Sequence, residues 1–113
     1  MNSNIKNVNS SIYSVKIKTL FQPLYSVQNK KYNGVEALSR GDLNGEFLDA
    51  KHLFSLPKNE KENLYLNRQC IKSALLAFSQ LPTTDNLSLF INFDSTLIDC
   101  QDIVIGTMLK TVY

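Results

Sequence analysis

Glu36 and Arg40 stand four residues apart in Gly34-Val35-Glu36-Ala37-Leu38-Ser39-Arg40, and Asn92 closes the run Leu87-Ser88-Leu89-Phe90-Ile91-Asn92. A carboxylate and a neutral amide oxygen are hard donors that suit magnesium or manganese. A guanidinium suits a phosphate. Gln22, just ahead of Pro23, can lend a second amide to the same pocket. Little else in the chain offers nucleophilic chemistry. It holds one histidine, His52, and two cysteines, Cys70 and Cys100, thirty positions apart with no second Cys or His at metal-ligand spacing around either. Such cysteines read as two buried free thiols and His52 as a surface or boundary residue. Ser-His or Cys-His catalysis therefore lacks material, and any catalysis must run on carboxylates, amides and a metal.

These side chains act together only if strands bring them to one face. Met1 to Ser11 contains four asparagines and three serines with only Ile5 and Val8 as aliphatics after the initiator. That composition cannot offset its ordering entropy and predicts a flexible leader, residues 1–12, ahead of a folded part, 13–113. From Tyr13 to Val27 apolar and polar residues alternate loosely, and Asn29-Lys30-Lys31 interrupts before Tyr32 opens another run. This predicts two strands joined by a tight turn. The second strand covers Gly34 to Arg40, and Gly41 to Gly45 reads as a loop. A short helical turn or two covers Asp49 to Leu56, ended by Pro57.

A longer helix follows, with Asn59 as cap and Glu62 three residues on, and with Ile71, Ala74, Leu75 and Phe78 on one apolar stripe. Leu81-Pro82 stops it. Leu87 to Phe93 is a third strand with Leu87, Leu89, Ile91 and Phe93 on one face and Ser88, Phe90 and Asn92 on the other. Asp94 and Ser95 turn the chain. A last amphipathic segment starts near Asp99 and carries Ile105, Met108, Leu109 and Val112 on a stripe. It reaches Tyr113 with no glycine, proline or cap, so the chain reads as stopping inside an element. Strands and helices in this order predict an α/β fold that opens with a β-hairpin.

Period-two geometry puts Gly34, Glu36, Leu38 and Arg40 on one face of the second strand and Val35, Ala37 and Ser39 on the other. The small face suits packing under a helix. Glu36 and Arg40 lie about 13 Å apart along a strand, too far to pair directly. If their face looks into the mouth of a closed or nearly closed sheet, each needs another partner, because an unpaired buried ion costs several kcal/mol. A divalent cation for Glu36 and a phosphate for Arg40 are the natural candidates. The alternative is an ordinary sheet whose second face is wet, with both charges solvated, since any half-exposed sheet produces such sets.

The chain has a single-domain length of 113 residues, and 43% hydrophobic residues with 10% aromatics suffice for a core. Lysine and arginine exceed aspartate and glutamate by two and are scattered, so nothing points to duplex nucleic acid or a membrane surface. No apolar run approaches the roughly 20 residues of a spanning helix, and no signal segment opens the chain. These features predict a cytoplasmic protein.

The wording Phe21-Gln22-Pro23-Leu24, a short turn, Gly34-Val35-Glu36-Ala37-Leu38-Ser39-Arg40, and later Leu89-Phe90-Ile91-Asn92-Phe93 resembles the opening of EAL domains, the bacterial cyclic di-GMP phosphodiesterases. In that family a YQPI-like strand leads through a hairpin to GxEALxR, and a later strand ends in asparagine. The resemblance runs from about Tyr13 to Tyr113. It implies Glu36 and Asn92 as metal ligands, Arg40 as a contact to the phosphate of cyclic di-GMP, and Gln22 and Leu38 as pocket-lining residues. The implied reaction is magnesium- or manganese-assisted hydrolysis of one phosphodiester bond to linear pGpG, with a metal-activated water as nucleophile.

The chain departs from the pattern at Gly41, where members commonly carry tryptophan, at Asp42 to Phe47, where a proline- and glycine-bearing loop is usual, and at Asp94, where many have serine. It also offers three strands and two to three helices where a (β/α)₈ barrel takes about 250 residues. The resemblance therefore implies a partial TIM barrel, a truncated domain without the later carboxylates and lysine, inactive alone. Its open strand edges allow self-association. The alternative is a degenerate EAL module kept for binding cyclic di-GMP or another protein. A small unrelated α/β protein is the third reading.

Overall fold

The computed structural model describes residues 12–82 and 86–92. The element order is β1 (Lys16–Ser26), β2 (Lys31–Leu43), β3 (Glu46–Leu48), α1 (Ala50–Leu53), α2 (Glu60–Ser79) and β4 (Ser88–Ile91). The fold is α/β and opens with a hairpin, as expected. β2 is the central strand. β1 runs antiparallel along one side of it, while the other side pairs with β4 in parallel at Gly34–Ala37 and with β3 antiparallel at Gly41–Leu43.

The stretch expected to be a loop after Arg40 is instead strand and hairpin. Gly41 to Leu43 continue β2, and Asn44-Gly45 turns the chain into β3. Both turn residues take positive φ, 54° and 88°, the backbone that matches the right-handed twist of a two-residue hairpin. Asn-Gly is the sequence signal for that turn. β3 is only three residues long and follows at once, so the alternation that marks a strand is too short to see.

Side chains of β1 alternate, with Ile17, Thr19 and Phe21 half-buried and Lys16, Lys18, Leu20 and Gln22 exposed. The buried set faces α2. Phe21 meets Phe78 edge-on, with ring centroids 6.3 Å apart, and the Thr19 and Ser73 hydroxyls lie 2.7 Å apart. Asn59 caps α2 by accepting from the Glu62 backbone N–H at 2.9 Å, and Glu62 reaches back to the Lys58 N–H at 3.0 Å. Glu60 and Glu62 in the first turn also complement the helix dipole. The stripe read as Ile71, Ala74, Leu75 and Phe78 is buried and extends N-terminally through Leu66, Asn67 and Cys70.

The core closes around Ile12, Leu53, Leu66 and Cys70, flanked by Val15, Ile17, Leu48, Leu56 and Tyr65. Ile12, read from the sequence as the last leader residue, is buried to 1% exposure and belongs to the core. Cys70 is a buried free thiol, and burial pushes its pKa up. His52 is exposed and its Nδ1 lies 2.7 Å from the Asp49 carboxylate in the cap of α1. No helix among the described residues is long and apolar enough to cross a membrane. The expected last segment from Asp99, with Cys100, lies outside the described residues, as do Phe93 and Asp94.

Candidate functional site

The face of the sheet turned away from α2 carries Gln22, Glu36, Leu38, Arg40 and Asn92, the residues that the sequence offered for one pocket. Cross-strand partners in an antiparallel ladder point to the same side, and the register places Gln22 opposite Glu36, Leu20 opposite Leu38, and Lys18 opposite Arg40. On the other side of β2, Glu36 aligns with Phe90 of β4. Asn92 lies two residues beyond Phe90 and shares its face. Its Nδ2 donates to Glu36 Oε2 at 2.7 Å.

The expected metal-ligand pair is thus in direct contact. Glu36 and Arg40 do not meet. Arg40 instead turns Nη1 onto the Ser39 carbonyl at 2.8 Å. The sequence offers Glu36 a cation or solvent as partner, and the structure supplies a neutral one, the Asn92 amide. Glu36 and Arg40 are half-buried, while Leu20 and Phe90 on the same face keep 52% and 47% of their surface exposed.

A β-bulge creates this alignment. Around the four-residue turn at 27–30, Ser26 opposes Lys31 and Tyr25 opposes Tyr32, but the next pair is Leu24 with Gly34. Asn33 is the extra residue. Without the shift Gln22 would oppose Val35 and Lys18 would oppose Ser39, which moves every β1 side chain to the wrong face. Gly34 has a separate reason to be glycine. A Cβ there would lie 3.0 Å from the Ser88 carbonyl oxygen, so its absence lets β4 approach β2 beside Glu36.

The departure at position 41 proves remote from this face. Gly41 opposes Ile17 and Leu48 on the helix side of the sheet. A Cβ would meet Leu53 Cδ1 at 3.0 Å and Val15 Cγ2 at 3.2 Å, so a tryptophan has no room and the core is built around its absence. Gly41→Ala is expected to cost roughly 1–3 kcal/mol by overpacking, read as a lowered urea midpoint, with no change on the Glu36 face.

The donors at the site are oxygen atoms, as a hard cation requires. Among the described residues no cluster of three or more His, Cys, Asp or Glu side chains could enclose a metal ion. Glu36 and Asn92 alone would therefore make only a partial ligand set. In the present hydrogen bond the Asn92 amide turns N–H toward Glu36. Ligation by both residues requires that amide to rotate its oxygen toward the cation.

No protein-family model and no curated protein matches this sequence. Solved structures do. The Bacillus subtilis YkuI protein, with an EAL domain, crystallised with substrate c-di-GMP and calcium, is similar with a TM-score of 0.69 and 23% identity over 94% of this chain and 26% of its own. The EAL enzyme Bd1971 is similar in its cGMP-bound form (TM-score 0.68, 19% identity, 98% of this chain and 34% of that one). Its cAMP-bound form gives a TM-score of 0.70 at 16% identity over the same shares. The fold is that of EAL-domain proteins. This chain spans 26% to 34% of the length of those neighbours, consistent with a partial barrel.

Sequence reasoning missed Lys18. Its place opposite Arg40 depends on the bulge at Asn33, and neither alternation nor turn residues announce a bulge.

Proposed function

We propose that this chain supplies the opening strands of a cyclic di-GMP site of the EAL phosphodiesterase kind. The observation that carries the reading is the 2.7 Å contact between Asn92 and Glu36 across the parallel β2–β4 pair, on the face that also holds Gln22, Leu38 and Arg40. Glu36 and Asn92 would hold magnesium or manganese, Arg40 would bind a phosphate of the nucleotide, and Gln22 and Leu38 would line the base or ribose pocket. When bound, a divalent cation would supply Lewis-acid polarisation of the phosphoryl oxygens for hydrolysis to pGpG. Arg40 keeps free N–H donors beyond the one spent on Ser39, and Leu20, Leu38 and Phe90 would exclude water from the ligand.

Among the described residues one carboxylate, Glu36, would reach the cation, and none stands beside it as a general base. That favours binding without turnover by this chain alone, with hydrolysis requiring additional residues. The likeness of fold to EAL proteins supports the reading, as does the calcium- and c-di-GMP-bound neighbour.

The test is calorimetric titration of cyclic di-GMP into the 113-residue chain with magnesium present, followed by chromatography of the sample for pGpG. Heat without product is expected. Heat with product would mean that this chain, alone or assembled with copies of itself, completes a catalytic site. A flat titration on a folded sample would overturn the assignment of this face to the nucleotide.

A further inference from the structure

Lys18 and Arg40 are direct cross-strand partners on the open face, which sets their Cβ atoms about 5 Å apart. Like charges in that position destabilise a sheet. The neighbouring pair shows the normal arrangement, Lys16 opposite Asp42. The nearby acids are otherwise engaged. Asp42 accepts from the Gly45 N–H at 2.8 Å, and Asp49 accepts from the His52 N–H at 2.8 Å. Among the described residues neither Lys18 nor Arg40 hydrogen-bonds a carboxylate; the Asp49 carboxylate is engaged by the His52 backbone N–H and ring, which, helped by the Arg40 charge, hold its pKa below the ordinary value. Arg40 meanwhile spends one donor on Ser39.

We infer that Lys18 and Arg40 form a two-cation cradle for one phosphate group, with Lys18 as a binding residue. An anion between two facing cations converts their repulsion into two charge-assisted contacts, a fork from the guanidinium and a point charge from the ammonium. The cradle sits on the same face as Glu36 and Asn92, four residues further along β2 than Glu36. The inference deepens the cyclic di-GMP reading and rests on it for the natural ligand. The chemistry itself requires only a phosphate or phosphodiester.

The experiment follows backbone amide resonances of the intact chain while sodium phosphate is added at constant ionic strength, and separately cyclic di-GMP with magnesium. The variants are Lys18→Gln, Lys18→Arg and a control, Lys31→Gln, in the hairpin turn region. Phosphate is expected to shift residues around 18 and 40 saturably. Lys18→Gln should weaken it roughly tenfold, the effect of one lost charge-assisted hydrogen bond. Lys18→Arg and Lys31→Gln should bind as the parent does. Without phosphate, Lys18→Gln should melt at the same temperature or higher, because the repulsion is gone. With phosphate, the parent, Lys18→Arg and Lys31→Gln should gain more than Lys18→Gln.

Equal phosphate binding by the parent and Lys18→Gln overturns the cradle, and so does no binding to either. If phosphate binding depends on Lys18 but cyclic di-GMP does not bind, the cradle stands and the nucleotide reading fails. If cyclic di-GMP binds equally with and without Lys18, the nucleotide reading stands and the cradle falls.

Discussion

Glu36→Gln is expected to remove the magnesium-dependent part of cyclic di-GMP binding, by at least about a hundredfold, while the unfolding midpoint in urea stays where it was. The magnitude follows from the role proposed. Loss of a residue that only orients a metal ligand costs about 10–100-fold in affinity, and loss of an anionic ligand should exceed that. The neutral stability follows from the geometry. Glutamine keeps a side-chain oxygen in the same position, so it can still accept from Asn92 Nδ2, now 2.7 Å from Glu36 Oε2. Calorimetry with magnesium and with EDTA, run beside a urea melt, separates the two effects. Unchanged magnesium dependence in Glu36→Gln would remove Glu36 from the cation site, and a large fall in stability would make its main role structural.

The same geometry explains which parts of the site the sequence could show. Within one strand, period two suffices, so Glu36, Leu38 and Arg40 were assignable to a common face from spacing alone. Asn92 followed by the same rule within β4, where exposure alternates from Leu87 to Asn92. Relations between strands are a different matter, because they depend on register. The register of β1 on β2 is set by one extra residue, Asn33, in a hairpin whose turn residue Lys30 takes φ of 55° without being glycine or asparagine. No local preference encodes that shift. It is held by what β1 must bury, Phe21 against Phe78 and Thr19 against Ser73, contacts between residues more than fifty positions apart. Gln22 could therefore be offered to the pocket but not placed opposite Glu36, and Lys18 beside Arg40 went unseen.

The loop reading of residues 41–45 failed for a related reason. Glycines at 41 and 45 look alike in the sequence and differ in cause. Gly45 is there for its backbone, at φ of 88° with nothing within 4 Å of a Cβ, whereas Gly41 is buried and is there for space. Composition counts both as loop formers.

The space at Gly41 leads to the largest expected loss of stability. Leu53 is fully buried at 0% exposure in the cluster with Ile12, Leu66 and Cys70, and it anchors the short helix α1 over β2 at the residue following Arg40. Leu53→Ala should cost about 2–5 kcal/mol, from lost transfer energy and the cavity left behind, measured by urea denaturation. Its Cδ1 is also the atom that a Cβ at position 41 would meet at 3.0 Å. The two substitutions, one leaving a void and the other filling it, must therefore be coupled. The double variant Gly41→Ala/Leu53→Ala should be more stable than the sum of the single effects predicts, by about 0.5–3 kcal/mol, the range for residues in contact. Val15 Cγ2, at 3.2 Å from the same Cβ position, is untouched by either change, so compensation should be partial. Simple additivity, within about 0.5 kcal/mol, would mean that Leu53 does not sit over Gly41, and that the departure from the family pattern at this position has some cause other than the packing of α1.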